Sequence, residues 1–202
     1  SDVTDVSYFE LLEAVTRYAN LFRGATIPRE KVVSYALPNT LETHYVLWGA
    51  QAVGIVNPVN PYLEPDAMAA IFRAAKTSIL ICIGPSIDAI AWRKMAAIIP
   101  DLPDIEAVFL LEASVEVTPP TGLAVPVMNM QAEAQRQSGQ HLKFSEDFSP
   151  DRVVAYFCTG GTTGIPKLAQ LTNRNHTYVS WVLSHLLEAG EGDIYFCGLP
   201  LF

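Results

Sequence analysis

Along the first 111 residues, the apolar positions switch between a spacing typical of helices and one typical of strands. Ser7 and Glu10 form an S-x-x-E capping box, and the apolar residues that follow recur every three or four positions until Gly24. Further helical patterns start at Thr40 and Pro65. Between them lie short apolar runs that predict strands, at residues 32–37, 55–56, 78–83 and 105–111. This alternation predicts an α/β fold, a layered parallel sheet with helices on both faces.

Glycine and proline mark where the predicted helices stop. Gly54 is expected to end the helix that Thr40 begins, and Pro100 to end a helical pattern at residues 87–99. After residue 111 the pattern weakens, and one short exposed helix is expected at residues 131–137.

The residues after position 150 predict a second set of elements. Two strands are predicted from apolar runs, a buried one at residues 153–158 and a shorter one at residues 168–171. Thr172 or Asn173 is expected to cap a helix whose apolar inner face continues to Gly190. His176, near this cap, is a lesser candidate for ligand contact. Residues 194–199 predict a final strand.

The loop between the first two of these strands is Thr159-Gly160-Gly161-Thr162-Thr163-Gly164-Ile165-Pro166-Lys167. A loop that joins strand to strand differs from the two commonest phosphate loops, which join a strand to a helix. The run contains neither a Gly-Lys-Ser/Thr ending nor a G-x-G-x-x-G pattern. A P-loop ATPase is therefore disfavoured.

The residue types in this loop nonetheless favour a bound polyphosphate. Three glycines let the backbone turn freely, so that amide N–H groups can converge on an anion. Three threonine hydroxyls add rotatable donors, and Lys167 supplies the loop's fixed positive charge. Pro166 disfavours helix at Ile165 and stiffens the exit towards the lysine. The candidate ligands of the phosphates are Thr159, Gly160, Gly161, Thr162, Thr163, Gly164 and Lys167.

With its flanks Tyr156 and Gln170-Leu171-Thr172, the loop resembles the phosphate-loop signature of the adenylate-forming superfamily, and it is most similar to bacterial acyl-CoA synthetases. Leu168 stands where a glycine commonly follows the lysine, and we expect it to change the packing behind the loop. Asn173 stands where a histidine is frequent, and we expect it to weaken a contact near the active site. The resemblance covers two earlier turns that we interpret as structural, Pro38-Asn39 and Asn57-Pro58-Val59-Asn60-Pro61.

The resemblance implies a fragment of an acyl-CoA synthetase. Such an enzyme activates a carboxylic acid, here a fatty acid, with ATP to an acyl-adenylate and then transfers the acyl group to coenzyme A. Mg²⁺ accompanies the triphosphate, and the resemblance places Thr159 near it. The family's adenine, ribose and acyl-pocket residues and its second lysine are expected beyond Phe202, so the chain alone is predicted to be inactive.

On this interpretation, residues 1–202 form an incomplete N-terminal AMP-binding domain. Its parts are an α/β sheet half at residues 1–111, an irregular excursion at 112–150, and a phosphate-loop hairpin, helix and strand at 151–202. The expected partners are small molecules: ATP, a carboxylic acid and coenzyme A. Two other functions stay open, an amino-acid-activating adenylation domain and a non-catalytic nucleotide-binding module.

Composition narrows the classes of partner. A net charge of −8, with the basic residues scattered, argues against nucleic acid. Cys82, Cys158 and Cys197 lie in apolar segments without metal or redox spacing, and we interpret them as small buried hydrophobes. The polar N-terminus and the short apolar runs predict no signal peptide and no transmembrane segment, which favours a cytoplasmic location with at most peripheral membrane contact. Half of the residues are apolar, so exposed apolar faces could support a homodimer or artificial self-association.

Overall fold

The computed structural model describes residues 4–25, 31–113, 123–145, 149–159 and 166–202, and one sheet runs through its centre. Its strands are β1 (Val32–Ala36), β2 (Ile55–Pro58), β3 (Thr77–Ile83), β4 (Ala107–Leu111), β5 (Val127–Asn129), β6 (Val153–Thr159) and β7 (Lys167–Thr172). They lie in the order β5-β4-β3-β1-β2-β6-β7. All neighbouring strands pair in parallel except β7, which runs antiparallel to β6. The predicted α/β class is confirmed.

Helices cover both faces of this sheet, as predicted. They are α1 (Tyr8–Ala25), α2 (Leu41–Val53), α3 (Pro65–Ala75), α4 (Ala89–Ile98), α5 (Met130–Gln135) and α6 (Asn173–Leu186). Side chains of α1, α2 and α5 form one buried cluster, and those of α3 and α4 form another. Strand residues alternate between the two clusters, because successive side chains point to opposite faces. Thus Ile79 and Ile81 join the first cluster, while Leu80 and Cys82 join the second.

Local capping chemistry sets several helix ends where the sequence predicts them. The Glu10 amide donates to Ser7 Oγ at 3.2 Å and the Ser7 amide to Glu10 Oε2 at 2.8 Å, which closes the predicted capping box. Thr40 caps α2, and Gly54 follows its last residue. The fourth helix, α4, begins two residues later than predicted, because the Asp88 carboxylate accepts two backbone N–H bonds, both at 2.9 Å, at its start.

The part of the chain after β7 departs most from the sequence predictions. Residues 194–199, predicted as a strand, are irregular; a strand needs a hydrogen-bonded neighbour, and the described residues provide none there. The helix α6 ends at Leu186 rather than Gly190, because Glu188 adopts the left-handed backbone conformation that ends helices (φ 50°). Its predicted inner face is also wrong, since α6 buries none of its residues against the described chain.

Two smaller predictions also need correction, and one strand was not predicted. α1 continues one residue past Gly24, and the three-residue strand β5 is too short for its apolar pattern to stand out. The short helix predicted at residues 131–137 is α5, but it is not simply exposed, since Met130 and Ala134 are buried.

Burial of the cysteines follows the prediction at one position and contradicts it at two. Cys82 is buried, and that burial raises the pKa of its thiol. Cys158 and Cys197 are exposed. The physical reason is that no described part of the chain packs over these two side chains. The strand β6 buries fully only Val154 and Ala155, so the prediction of a buried strand holds for its first half alone.

Candidate functional site

The candidate site lies at the tip of the β6–β7 hairpin. The two strands pair from Val153 opposite Thr172 up to Thr159 opposite Lys167, so the loop joins strand to strand as predicted. Because β6 runs parallel to β2, Thr159 lies at the edge where the other parallel strands also end; we call this the carboxyl edge. Open α/β sheets bind ligands outside this edge. The hairpin tip is therefore on the side of the sheet where a ligand is expected.

Two of the seven candidate phosphate ligands are described, one at each end of the loop. Thr159 Oγ1 donates a hydrogen bond to the Lys167 carbonyl oxygen at 3.2 Å, and both residues are exposed. Within the described parts of the chain, Lys167 has no carboxylate partner, so its ammonium is available to an anion. The other five candidates lie outside the described residues: Gly160, Gly161, Thr162, Thr163 and Gly164.

The start of β7 is supported by packing behind the hairpin. Leu168 is partly buried and contacts the cluster beneath α3. It also contacts the small cluster of Val32, Ile55 and Ala75. A leucine at this position thus fills space behind the loop, in line with the expected change in packing, and leaves the adjacent Lys167 side chain on the surface.

Two polar residues that follow the hairpin, Asn173 and His176, lie at its other end. Thr172 is five residues along β7 from Lys167, about 17 Å at the usual rise of a strand. Asn173 Nδ2 donates to the Ser149 carbonyl oxygen at 3.1 Å, and His176 lies in the first turn of α6. β7 therefore carries Asn173 and His176 away from Lys167, and the expected weakening of an active-site contact by Asn173 stays a prediction.

The last residues of the chain return to the carboxyl edge. The Leu201 amide donates to Asn39 Oδ1 at 2.9 Å, and Asn39 Nδ2 donates to the Leu199 carbonyl oxygen at 3.0 Å. The Tyr35 hydroxyl donates to the Leu201 carbonyl oxygen. Residues 199–202, here called the return segment, thus lie over the end of β1, two strands from the hairpin. Sequence reasoning missed these contacts, because partners 160 residues apart leave no local pattern.

The other turn residues of the resemblance have structural roles, as interpreted. Asn57 Nδ2 donates to Ser34 Oγ at 2.8 Å inside the sheet, where both residues are fully buried. The Tyr62 amide donates to Asn60 Oδ1 at 2.9 Å, which closes an Asx turn after β2. The ring of Tyr62 then meets that of Phe202 edge to face, with the centroids 6.2 Å apart.

Grooves elsewhere on the molecule suit a polyphosphate less well. A groove of about 580 Å³ beside the start of α6 is lined largely by apolar surface, including Pro150, Tyr178 and Trp181. A second, of about 470 Å³, lies at the opposite edge of the sheet, where Lys31 already pairs with Glu106. Within the described ranges, no cluster of three or more metal-binding side chains occurs, and no helix is long and apolar enough to span a membrane.

A comparison with known families shows which family contains this chain. The sequence profile of the family described as AMP-binding enzyme matches residues 1–202. The chain belongs to the AMP-binding enzyme family. The resemblance that the hairpin loop carries is thereby confirmed at the level of the family.

Curated relatives of this AMP-binding chain are CoA ligases. Marinolic acid–CoA ligase of Pseudoalteromonas sp. (strain SANK 73390) is 32% identical over 204 residues, which cover 97% of this chain and 29% of the relative. 4-Coumarate–CoA ligase of Pinus taeda is 29% identical over 208 residues, which cover 98% of this chain and 35% of the relative. The chain therefore spans about a third of the length of these relatives.

Two solved structures share the fold of this AMP-binding chain. Apo MatB from Rhodopseudomonas palustris matches 98% of the chain with a TM-score of 0.77 at 21% identity, and the match covers 36% of that protein. Brucella canis acyl-CoA synthetase matches 98% with a TM-score of 0.78 at 17% identity, covering 34% of that protein. Identities this low show the fold alone, and they confirm the predicted layered sheet.

Proposed function

We propose that this AMP-binding chain is part of an enzyme that activates a carboxylic acid with ATP and passes the acyl group to coenzyme A. The observation that carries the proposal is the hairpin, whose tip presents Lys167 without a carboxylate partner in the described chain at the ligand-binding edge. The curated CoA ligases support the acid–thiol ligase class. A fatty acid is the expected substrate, and a cytoplasmic location, where ATP and coenzyme A are available, accompanies the proposal.

The proposed role of the hairpin follows from where charge develops. In the first step a carboxylate oxygen bonds to the α-phosphorus of ATP, and the bond to the departing pyrophosphate breaks. Donors that are already aimed at the departing oxygens stabilise this charge without reorganising, and we assign that role to the ammonium of Lys167. In the second step the thiol of coenzyme A bonds to the acyl carbon and AMP leaves. Each step exchanges one bond at one centre, so no redox partner is needed.

Thr159 offers a donor that fits a magnesium ion bound to the triphosphate. Its hydroxyl is exposed at the loop end and lies within 3.2 Å of the Lys167 carbonyl oxygen. Mg²⁺ keeps most of its waters and takes phosphate oxygens, so one or two protein oxygens are enough to hold it. When bound, the ion neutralises phosphate charge, and Thr159 is the residue of this chain that we assign to it.

We also propose that residues 1–202 are the front part of a larger domain, divided at residues 111 and 150 into the sheet half, the excursion and the hairpin part. Coverage of about a third of the relatives supports this proposal. The binding residues for adenine and ribose, and most of those for the acid, would then come from other segments. The isolated chain is accordingly expected to lack acid activation, and measurable pyrophosphate exchange by it would contradict that expectation.

The test is acid-dependent exchange of pyrophosphate into ATP by the longest protein that the gene encodes. The acids should range from acetate through long-chain fatty acids to aromatic acids, because the curated relatives act on different ones. Lys167→Ala should slow exchange by about 10²–10³-fold, the usual cost of losing one preorganised donor. Lys94→Ala, an exposed lysine on α4, is the charge-matched control and should leave the rate unchanged. Equal rates for the Lys167 variant and wild type would refute the role of Lys167.

A further inference from the structure

The side chain of Asn39 uses both ends of its amide on one distant segment. Its Oδ1 accepts from the Leu201 amide at 2.9 Å, and its Nδ2 donates to the Leu199 carbonyl oxygen at 3.0 Å. The buried Tyr35, which lies in β1 shortly before Asn39, donates a hydrogen bond from its hydroxyl to the Leu201 carbonyl oxygen. These three bonds fix three consecutive peptide groups of an irregular segment, because each constrains a backbone atom of a different peptide group.

These bonds occur at the point of the sheet where the direction of the strand order reverses, between β1 and β3. The helix after β1 packs on one face and the helix after β3 packs on the other, so the connections leave in opposite directions from the adjacent strands. Points of this kind, at the carboxyl ends of strands, are where open α/β sheets bind ligands. In this chain the return segment lies at that point, beside the end of β1.

The return segment is close to the hairpin. Two strand spacings separate β1 from β6, which is about 10 Å in a hydrogen-bonded sheet. A molecule whose phosphates lie at the hairpin tip would therefore extend towards the return segment. Residues 193–200 are exposed, and only at Leu201 and Phe202 does the segment become partly buried, so its position depends on a small number of contacts.

We propose that Asn39 is a positioning residue for acid activation: together with Tyr35 it holds residues 199–201 as a fixed wall of the cleft in which the acid meets ATP. This inference rests on the proposed function of the hairpin. A cleft wall that is fixed before the substrate arrives binds it more tightly, because less ordering is needed on binding, so a loosened wall weakens binding of the acid. Asn39 acts through the main chain of the return segment and does not itself need to touch the substrate.

Three variants separate positioning from general stability. Asn39→Ala removes two side-chain bonds to the return segment, and Tyr35→Phe removes one without changing the volume of a fully buried ring. Asp88→Ala is the matched control. It also removes two hydrogen bonds between a side chain and the backbone at the carboxyl edge, those that cap α4. It should lower stability without touching residues 199–202.

The first measurement is amide hydrogen exchange at Leu201 in the 202-residue chain. Asn39→Ala should speed this exchange because it removes the acceptor, whereas Asp88→Ala should not. Equal exchange at Leu201 in both variants and wild type would show that the hydrogen bond from the Leu201 amide to Asn39 does not form in solution. That result overturns the proposal whatever the protein catalyses.

The second measurement is the kinetics of acid-dependent exchange in the longest encoded protein. Asn39→Ala should raise KM for the acid by about tenfold, with the Kd for Mg-ATP unchanged, in line with the usual worth of two hydrogen bonds. Tyr35→Phe should change KM in the same direction by less, and Asp88→Ala should leave KM unchanged. An active wild type with the same KM for the acid in all variants overturns the positioning role alone. A wild type without exchange on any acid overturns the proposed function and this role together, even where the hydrogen-exchange result holds.

Discussion

The sheet half and the hairpin part use apolar residues in opposite ways. In the sheet half, large side chains such as Tyr35, Phe72 and Phe109 are fully buried between the sheet and its helices. In the hairpin part, Ile194 is 97% exposed and Phe196 90% exposed. Stability in this chain is therefore concentrated in the sheet half, while the hairpin part carries the candidate chemistry with little burial of its own.

The largest expected effect comes from matched truncations of one phenylalanine in each part. Phe109 is fully buried, with its ring centroid 6.0 Å from that of Phe22. Phe109→Ala should lower the free energy of unfolding by about 3–5 kcal/mol, because it removes packed surface and leaves a cavity. Phe196→Ala should change it by no more than about 0.5 kcal/mol. Denaturant unfolding of both variants measures the difference, and similar losses would remove the basis of the comparison.

A glycine pair tests the same contrast in the backbone. A Cβ on Gly54 would lie 2.2 Å from the Lys31 carbonyl oxygen. This main-chain oxygen also accepts a hydrogen bond from the Ile55 amide at 3.0 Å. Gly54→Ala should therefore cost roughly 1–3 kcal/mol, as overpacking does. Around Gly190, no described atom lies within 4 Å of the same position, and Gly190→Ala should stay within about 0.5 kcal/mol of wild type. If Gly54→Ala unfolds at the same denaturant concentration as wild type, the close approach of the two chain segments is incorrect.

The smallest expected effect is a change in how stability depends on pH, caused by the partial burial of His176 in the first turn of α6. Partial burial lowers the pKa of His176 below its ordinary value near 6.5. As the pH falls below about 6.5, the unfolded chain takes up the proton first, so the free energy of unfolding declines until the folded pKa is passed. His176→Gln should flatten this decline. Denaturation between pH 5 and pH 8, where the histidine titrates, gives the slope. An identical slope in wild type and variant would mean that α6 leaves His176 fully in solvent.

Most of the sheet half could be predicted because its signals are local and agree with one another. The capping box at Ser7, the cap at Thr40 and the stop at Gly54 coincide with changes in apolar spacing, and each is present in the structure. The strand-to-strand character of the hairpin followed from the same kind of pattern. The cap of α4 at Asp88 is also a local signal that the sequence contains. The helix start was predicted too early because apolar spacing alone was used to place it.

The remaining features depend on long-range contacts. Apolar spacing predicts a covered face on α6 and a strand at residues 194–199, but periodicity reports which side chains are apolar and not whether a partner is present. The bonds from Asn39 to the return segment join residues 160 positions apart, so they could not be read from either stretch alone. The resemblance associates Asn173 with a contact near the active site, and only the structure shows that the length of β7 separates Asn173 from Lys167.

Titration of the 202-residue chain with Mg-ATP tests the central claim, that the hairpin tip binds the phosphate tail through Lys167. Wild type should bind Mg-ATP, and AMP, which lacks the polyphosphate, should bind far more weakly. Lys167→Ala should weaken Mg-ATP binding by about tenfold or more, the usual worth of a hydrogen bond to a charged group, and Lys94→Ala should leave it unchanged. Equal affinity of wild type and Lys167→Ala for Mg-ATP would contradict the account.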